Sequence, residues 1–564
     1  MLSKIKDAAI PFLMPILVFS VLFSAYSFIY LVSIGHTVLD DIFYHMAHAV
    51  SYLNGTSGSF DYPVYSTFST MPVDSYYLYH KLMALFITGF NGINFEYLIT
   101  RIKFMYCLMI GLYFAGIYLV SAAVARSIFN CSKKTGRILG LVTTSLLYSI
   151  AITFDLRLIL LRPLIVPSFL VILSFLFIIR RWTWPMFLIS FILPFFYSLT
   201  PVMLLVPIFY GFTVFVHSGF KSHFWNVAGP FLVMLSGLIL GTLLHPNALN
   251  YVYNGSFVNL MVILGRFNGM TPEGGELNSA TLMLNDFLWF LPYILCLAFY
   301  IYKFLKYKTL EKTISPNKLF LLLSTSFLFV LFMEINRTSE YLFPLLIMFI
   351  VFTFYDMILE GLDELKSPKV ADDGNLIYSI RKFVCSLSDL LFSNRKYLKI
   401  LFTILLIIFP LITTFSLTEL SLKLITPDDK HKAAADFIHA DSKAGDIVFT
   451  QVFHNYTQLV FYNNFDRYIM GTGSAYTYEY DKSLYFLWYH IVKGGNICPE
   501  IKCDGKKSLD AYSVIKDVFK AQYVFLELGN ESKPWKLAER LSSDPRFKKV
   551  FQDKKYPDVV VYKI

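Results

Sequence analysis

The sequence predicts a polytopic α-helical membrane protein with a soluble α/β domain after its last apolar segment. Hydrophobic residues make up 56% of the 564 residues and charged residues only 16%, whereas soluble domains carry about 25% charged residues. Long apolar runs recur up to about residue 416. Beyond residue 417, short helical and strand patterns alternate instead. We therefore divide the chain into a transmembrane domain, 1–416, and an α/β domain, 417–564.

The apolar runs set the number of membrane crossings. About eleven runs are long enough to cross roughly 30 Å of hydrocarbon, or to cross it inside a bundle. They cover approximately residues 10–34, 104–125, 138–154, 163–179, 185–200, 202–217, 227–244, 286–302, 319–335, 341–357 and 398–416. The fifth and sixth runs are short and meet at Leu199-Thr200-Pro201, where proline interrupts helical geometry. The sequence thus predicts eleven helices with a break at Pro201.

The basic residues predict the orientation of these helices. Most lysines and arginines between the runs fall on one side, which the positive-inside rule makes cytoplasmic. They are Lys4, Lys6, Arg126, Lys133, Lys134, Arg137, Arg180, Arg181, Lys221, Lys303, Lys306, Lys308 and the stretch 366–399; Lys81, Arg101 and Lys103 fall on the other side. The formal net charge of +10 is explained in this way and predicts no nucleic-acid partner. We expect a plasma or inner membrane protein with a cytoplasmic N-terminus, a retained first helix and an extracytoplasmic C-terminal domain.

The first predicted external loop, 35–82, carries the most informative residues. Asp40 and Asp41 follow the first apolar run directly, and ionisable groups beside hydrocarbon are functional candidates by default. The loop also contains histidines, further acids and tyrosines, a composition too aromatic for a disordered segment. Periodicity predicts two surface helices in it, Ile42–Leu53 and Tyr76–Phe86. We therefore place the centre of the candidate site at Asp41.

Three further predicted external segments bring acids and arginines to the same membrane face. They hold Asp155, Arg157 and Arg162; Arg266 and Glu276; and Glu334, Arg337 and Glu340. The planar guanidinium group matches phosphate oxygens in two places at once, so these arginines suit an anionic lipid headgroup. Glycine and proline around Glu276 predict a mobile loop.

This layout resembles the GT-C superfamily of membrane glycosyltransferases, which take sugars from polyprenyl phosphate or pyrophosphate carriers. Asp41-Ile-Phe-Tyr44-His45 is similar to the acidic segment of oligosaccharyltransferase catalytic subunits, and Asp40-Asp41 resembles the acidic pair of protein O-mannosyltransferases. Leu161-Arg162-Pro163 and Arg337 with Glu340-Tyr341 resemble weaker recurrent features of such enzymes. The Trp-Trp-Asp acceptor motif of oligosaccharyltransferases does not occur, which argues against transfer to asparagine.

The resemblance implies a reaction and roles for the residues. Asp41, with Asp40 beside it, would take the proton of an acceptor hydroxyl while a hexosyl or pentosyl group leaves its lipid phosphate, with inversion. Arginine would stabilise the departing phosphate. The substrate-binding candidates are Tyr44, His45, Arg157, Arg162, Arg266, Arg337 and Glu340, with Lys81 behind them. Asp41, Asp155 and Glu276 could hold Mg²⁺ or Mn²⁺; their spacing does not require the ion, and a pyrophosphate carrier would favour it more than a monophosphate. The acceptor is a glycan, a lipid or a protein, and membrane lipids surround the site.

Each residue also has a simpler structural interpretation. Asp40 or Asp41 could cap a helix, and His45 could pack in the surface helix. Arg157 and Arg162 could extend to lipid headgroups, with Asp155 as a counter-ion, and Arg337 could pair with Glu334 or Glu340. For the whole chain, a lipid-carrier ligase, a flippase and a non-catalytic lipid-binding assembly subunit remain alternatives. A transporter is disfavoured because the two halves do not repeat.

The C-terminal domain is predicted to hold a mixed or parallel sheet covered by helices. The predicted helices are 432–440, 482–493 and 509–520, and the predicted strands are 447–451, 522–527 and 559–562. No glycine-rich phosphate loop or metal-ligand cluster is recognisable, which favours an accessory or acceptor-binding role. Cys498 and Cys503 form the only close cysteine pair, and an extracytoplasmic location predicts a disulfide between them.

Overall fold

The computed structural model describes residues 2–38, 41–55, 62–88, 95–198, 200–218, 224–258, 261, 287–335, 338–365, 404–452, 455–471, 473–505, 507–528 and 536–564. Of the predicted site residues, Asp40, Arg266, Glu276 and Arg337 lie outside these ranges. What the sequence predicts for those four therefore remains a prediction.

Helices dominate the first three quarters of the chain. They are α1 (Leu2–Val32), α2 (Asp41–Leu53), α3 (Thr67–Thr70), α4 (Tyr77–Ile87), α5 (Phe95–Phe129), α6 (Lys133–Ile150), α7 (Ile152–Ile159), α8 (Ile165–Arg180), α9 (Thr183–Ile192), α10 (Val202–Ser218), α11 (Phe224–Leu243), α12 (Ala248–Asn250), α13 (Phe287–Tyr307), α14 (Leu310–Thr313), α15 (Pro316–Glu334), α16 (Ser339–Leu365) and α17 (Phe409–Leu422). Short 3-10 and π-helical turns follow α9 at Leu193–Phe195, follow α12 at Tyr251–Val258, and precede α17 at Ile404–Ile408.

Several of these helices are long and apolar enough to cross a bilayer. Within the described residues six helices qualify, and a seventh span results if α6 and α7, bent by 78° relative to each other, form one crossing. Three apolar helices, α8, α9 and α10, are shorter. The chain is therefore an integral membrane protein, as predicted, while the number of eleven crossings remains a prediction. The predicted break is present, since α9 ends before the turns near Pro201 and α10 begins at Val202.

The bundle is organised around α5. This helix packs against α1, α6 and α8, and its apolar side chains belong to one large buried cluster shared with α1, α4, α7 and α16. Gly140 permits the close approach of α6, because a Cβ atom there would lie 2.6 Å from the carbonyl oxygen of Tyr118 on α5. Small residues allow membrane helices to pack this tightly.

The two predicted surface helices are both present. Their observed bounds, Asp41–Leu53 for α2 and Tyr77–Ile87 for α4, lie within one residue of the prediction at each end. The two helices pack against each other, and α4 also packs on α5. This arrangement places the first turn of α2 beside the membrane bundle.

The C-terminal part forms the predicted mixed sheet. Its five strands are β3 (Ile447–Thr450), β4 (Arg467–Tyr468), β5 (Tyr523–Glu527), β6 (Lys548–Gln552) and β7 (Val559–Lys563), in the order β4-β3-β5-β7-β6. Strand β3 pairs in parallel with β4 and β5, while β7 pairs antiparallel with β5 and β6. The helices are α18 (Lys432–Asp441), α19 (Asn455–Tyr462), α20 (Ser474–Tyr480), α21 (Lys482–Lys493), α22 (Ala511–Ser513) and α23 (Leu537–Ser543). The sequence did not predict β4, β6, α19, α20 or α23.

Alternate residues of the central strand, β5, pack into two different hydrophobic clusters, one on each face of the sheet. Val524 and Leu526 of β5 pack in a cluster with Trp488 of α21, whereas Tyr523 and Phe525 pack in a second cluster with α18 and α19. Tyr44 of α2 belongs to this second cluster. A helix from the membrane part therefore completes one face of the C-terminal sheet.

A short antiparallel pair also joins the two parts. Strand β1 (His36–Val38), which follows α1, pairs with β2 (Ile425–Pro427), which follows α17. The predicted boundary at residue 417 falls inside α17, so the change of structure comes at Ile425 instead. The predicted disulfide between Cys498 and Cys503 is present.

Candidate functional site

The candidate site is built around an ion pair between two predicted site residues from distant parts of the chain. Asp41 is the first residue of α2, and its carboxylate pairs with the guanidinium group of Arg162, which lies between α7 and α8. Both side chains are only partly shielded, with 29% of Asp41 and 16% of Arg162 exposed. The carboxylate therefore forms a specific ion pair in addition to stabilising the N-terminus of α2. Because both side chains are partly exposed, the pair is accessible to solvent.

Three tyrosines fix the backbone that carries Arg162. Tyr30 of α1 donates a hydrogen bond to the carbonyl oxygen of Ile159 at 3.0 Å, and Tyr79 of α4 donates one to that of Leu161 at 3.0 Å. Tyr106 of α5 donates to the carbonyl oxygen of Arg162. Buried carbonyl groups outside a regular helix need such partners. The hydroxyl groups thus allow the chain to leave helical geometry here and to present Arg162 to Asp41.

The local backbone agrees with this role. Leu161 has a φ of 56°, in the left-handed region that non-glycine residues rarely adopt. Such a conformation persists only where surrounding contacts enforce it, and it is frequent at functional sites.

The electrostatics of Asp41 follow from its neighbours. Burial by itself would raise the pKa of this carboxyl, but the Arg162 guanidinium, with His45 and Arg157 nearby, lowers the pKa below its usual value. Asp41 is therefore ionised at neutral pH. An ionised carboxylate can accept a proton, but it does so weakly while a guanidinium holds it.

A second arginine of the same segment forms a much more deeply buried pair. Arg157 of α7 donates from Nε to Oε1 of Glu340 at 3.1 Å, and its Nη2 contacts the same oxygen. The side chains are 8% and 1% exposed. Ser168 donates to the backbone oxygen of Glu340 at 2.7 Å, which ties α8 to α16 at the same point. Two predicted substrate-binding residues thus pair with each other and join α7 to α16.

The predicted metal ligands are not gathered into one cluster by the described residues. Asp41 pairs with Arg162, and the fully buried Asp155 accepts a hydrogen bond from Tyr26 of α1 at 3.0 Å. The groups of three or more possible ligands in the described chain do not include either carboxylate. Glu276 lies outside the described residues. Binding of Mg²⁺ or Mn²⁺ by this set remains a prediction, and we derive no chemical step from it.

His45 belongs to a buried polar network beside the site. Its Nδ1 lies 2.7 Å from Nε2 of His80, and Nδ1 of His80 lies 2.8 Å from the carboxylate of Asp74. The Asp74 carboxylate also accepts hydrogen bonds from the hydroxyl group of Tyr52 and the backbone N–H of Tyr76. Burial lowers the pKa of His80 to about 3, so this imidazole is neutral at physiological pH.

The contacts of the two remaining described candidates, Tyr44 and Lys81, are with other residues. The Tyr44 ring packs against residues of the C-terminal domain. Its centroid also lies 4.6 Å from that of His48 on the same helix. The ammonium group of Lys81 lies over the ring of Tyr77, 4.5 Å from its centroid. Substrate contact for Tyr44 and Lys81 therefore remains a prediction.

The sequence predictions did not assign a role to Tyr30, Tyr79, Tyr106, His48, Asp74 or His80. The tyrosines lie in helices rich in aromatic residues, and nothing in a pattern distinguishes a hydroxyl group that reaches a distant carbonyl. A usable signal did exist for the histidines, since His45 and His48 are three residues apart on one helix and therefore share a face.

Comparison with known proteins identifies the fold. No family model matches the chain, and no curated protein matches it in sequence. Among solved structures, the archaeal oligosaccharyltransferase AglB from Archaeoglobus fulgidus, in complex with an inhibitory peptide and a dolichol-phosphate, has a TM-score of 0.54 and 12% identity. The alignment covers 90% of this chain and 69% of AglB. The chain has the GT-C fold.

A second GT-C structure matches over almost its whole length. ArnT from Cupriavidus metallidurans, bound to undecaprenyl phosphate, has a TM-score of 0.51 and 13% identity, with 96% of this chain and 97% of ArnT covered. The predicted resemblance to GT-C proteins is therefore confirmed at the level of the fold, including the C-terminal part. Identities this low do not by themselves transfer an activity.

Proposed function

We propose that this protein is a membrane glycosyltransferase that moves a sugar from a polyprenyl-phosphate carrier to an acceptor hydroxyl group. The observation that carries the proposal is the accessible pair of Arg162 and Asp41 beside the membrane bundle. It combines a phosphate-binding group with a proton acceptor in one place. The GT-C structures solved with dolichol-phosphate and undecaprenyl phosphate support a lipid-linked donor of this class.

The ion pair itself suggests how the reaction begins. A phosphate group that reaches Arg162 competes with Asp41 for the same guanidinium, and planar guanidinium groups bind phosphate oxygens in a bidentate manner. Donor binding therefore releases the Asp41 carboxylate. Because its positive partner is then neutralised, Asp41 becomes a better proton acceptor at the moment when it is needed.

The chemical step then balances as a direct displacement. The acceptor oxygen forms a bond to the anomeric carbon, the bond from that carbon to the phosphate oxygen breaks, and the acceptor proton moves to Asp41. The polyprenyl phosphate leaves with the bonding electrons, and Arg162 stabilises its charge. A single displacement inverts the anomeric configuration. Arg157 is close enough to affect Asp41 electrostatically, but its pairing with Glu340 gives it a supporting role.

The location of the reaction follows from the same elements. We place Asp41, Arg162 and the C-terminal domain at the extracytoplasmic face, because the basic residues between the apolar segments lie predominantly on the opposite side. The acceptor would approach between this face and the C-terminal domain. Cysteine labelling in intact cells at positions 36 and 502 tests this orientation, and modification only after permeabilisation would contradict it.

The activity is tested by transfer of radiolabelled sugar from a panel of polyprenyl-phosphate hexoses and pentoses, using full-length protein in proteoliposomes. We expect the wild type to release free polyprenyl phosphate, and Asp41→Asn to lose about 10²- to 10⁴-fold in rate, as is typical of an absent general base. Asp436→Asn is the matched control, because Asp436 forms an exposed pair with Lys432 in the C-terminal domain. Equal rates for Asp41→Asn and wild type would refute the role of Asp41. Donor binding without release of polyprenyl phosphate would favour a flippase or an assembly subunit.

A further inference from the structure

A second cluster of possible ligands lies within the surface helices, separate from the pair of Asp41 and Arg162. It is formed by His48 of α2, His80 of α4 and Asp74 from the segment that joins α3 to α4. One ligand atom from each of these residues lies within 4.8 Å of those of the other two. All three side chains are almost completely buried, with exposed fractions of 0%, 0% and 3%.

The chemistry of these groups suits a divalent transition-metal ion. Each imidazole can offer one ring nitrogen as a ligand atom, and Asp74 can offer a carboxylate oxygen. Neutral imidazole and carboxylate are ligands that Zn²⁺ prefers. The Asp74 carboxylate is buried beside the two imidazole rings, and a bound cation would place an opposite charge next to it.

The surrounding hydrogen bonds have the pattern of a supported metal site. Histidines that bind a metal usually donate a hydrogen bond from the other ring nitrogen, and metal-binding carboxylates are held by further donors. Here Nε2 of His80 lies 2.7 Å from Nδ1 of His45. Asp74 is held by the hydroxyl group of Tyr52 and the N–H of Tyr76, both at 2.9 Å. His80 and Asp74 thus have partners that orient them.

The three groups must rearrange to bind one ion. Tetrahedral zinc with bonds of about 2.0–2.2 Å places its ligand atoms roughly 3.3 Å apart. Nδ1 of His80 lies 2.8 Å from Asp74, and Nδ1 of His48 lies 3.9 Å from it. The His48 and His80 rings are stacked, with 9° between their planes, so His48 must turn for both rings to point at one ion. His80 must also carry its proton on Nε2 and donate it to His45, with no net change in protonation.

We propose that His48, Asp74 and His80 bind one Zn²⁺ ion that fastens α2 to α4, with water as the fourth ligand. The ion would stiffen the platform on which Asp41 begins α2. This site differs from the predicted Mg²⁺ or Mn²⁺ set in its residues and its role. It does not depend on the proposed glycosyltransferase activity.

The test measures metal content and needs no activity assay. Full-length protein in detergent is stripped with a chelator, incubated with excess ZnCl₂, freed of unbound zinc by gel filtration, and analysed by inductively coupled plasma mass spectrometry. We expect about one zinc ion per chain in the wild type, and at least about a fivefold lower content in His48→Gln and Asp74→Asn.

Three control variants separate this site from other possible zinc ligands. Asp41→Asn should keep its zinc, since Asp41 is not a proposed ligand. His490→Gln should also keep it, which excludes His490 with Cys498 and Cys503 as the source. His439→Gln, which replaces an exposed histidine, should keep its zinc as well. A wild-type protein that retains no zinc, or equal zinc in wild type, His48→Gln and Asp74→Asn, would overturn the proposal.

A second measurement covers the case in which the ligand variants do not fold. Wild-type protein loaded with Co²⁺ should show the intense visible absorption bands of a tetrahedral site, and added Zn²⁺ should remove them. The absence of such bands, or bands that persist in excess Zn²⁺, would contradict the proposed tetrahedral site.

Discussion

The two arginines of one short segment, Arg157 and Arg162, form ion pairs in very different surroundings. The pair of Arg157 and Glu340 is 8% and 1% exposed, whereas the pair of Arg162 and Asp41 is 16% and 29% exposed. A buried pair cannot exchange partners without leaving a charge in a medium of low dielectric constant. A partly exposed pair can open at little cost. We therefore expect a structural role for the first pair and, for the second pair, the contact with substrate that we propose.

The largest expected effect is on stability and concerns the buried pair. Glu340→Gln leaves the guanidinium of Arg157 without its counter-charge, and such a change typically costs about 3–5 kcal/mol. We expect a large fall in the thermal unfolding temperature, measured by intrinsic fluorescence in detergent. Glu419→Gln, which breaks the exposed pair with Lys423, should leave it unchanged. An unchanged unfolding temperature in Glu340→Gln would mean that the two ion pairs do not differ as described.

The second prediction concerns Arg162, whose replacement should affect activity more than stability. Arg162→Gln removes the group that we propose stabilises the departing phosphate, so the transfer rate should fall by about 10²- to 10³-fold. The unfolding free energy should change by less than about 1 kcal/mol, because the pair is partly exposed. Rates and melting curves of the same preparations test both parts. A variant that loses stability and rate in equal measure would show that Arg162 is structural as well.

The third prediction concerns pH and follows from the pKa of Asp41. In the wild type, Arg162 holds this pKa below its usual value, so the acidic decline of kcat/KM should fall below about pH 4. In Arg162→Gln, the guanidinium group that offsets the effect of burial is absent, so the pKa of Asp41 rises. The carboxylate then becomes protonated at higher pH, and the decline should move upward. Profiles of kcat/KM between pH 4 and 8 test this, and coincident profiles would contradict it.

We expect the smallest effect from replacing Tyr79, which holds the backbone next to Arg162 of the accessible pair. Tyr79→Phe removes the hydrogen bond to the Leu161 carbonyl oxygen, which typically costs about 1 kcal/mol. We expect a several-fold lower transfer rate, because Arg162 follows Leu161 directly. Tyr480→Phe changes a tyrosine that is 39% exposed and serves as the control. A wild-type rate in Tyr79→Phe would show that the hydroxyl group does not position Arg162.

Much of the fold could be predicted because strong physical signals are local in sequence. Apolar runs gave the membrane class, the periodicity of Ile42–Leu53 gave α2, and local patterns gave α18, β3, α21, β5 and β7 of the C-terminal domain. The segments missed include β4, whose pairing with β3 brings together residues that no local pattern links. The contribution of Tyr44 to the core of the C-terminal domain is nonlocal for the same reason.

The site was predictable in its composition but not in its pairings. Asp41, Arg157, Arg162 and Glu340 were all candidates because charged groups beside hydrocarbon are costly. Which carboxylate meets which arginine depends on the bend between α6 and α7 and on tyrosine hydroxyl groups from three other helices. The sequence contains no local signal for either feature.

The packing of α2 in the core of the C-terminal domain makes the two parts of the chain depend on each other. Because Tyr44 fills a position among the side chains of α18, α19 and the sheet, a fragment cut out after α17 would carry an apolar surface that the whole chain keeps covered. Through this contact, the position of the C-terminal sheet is tied to the helix that begins with Asp41.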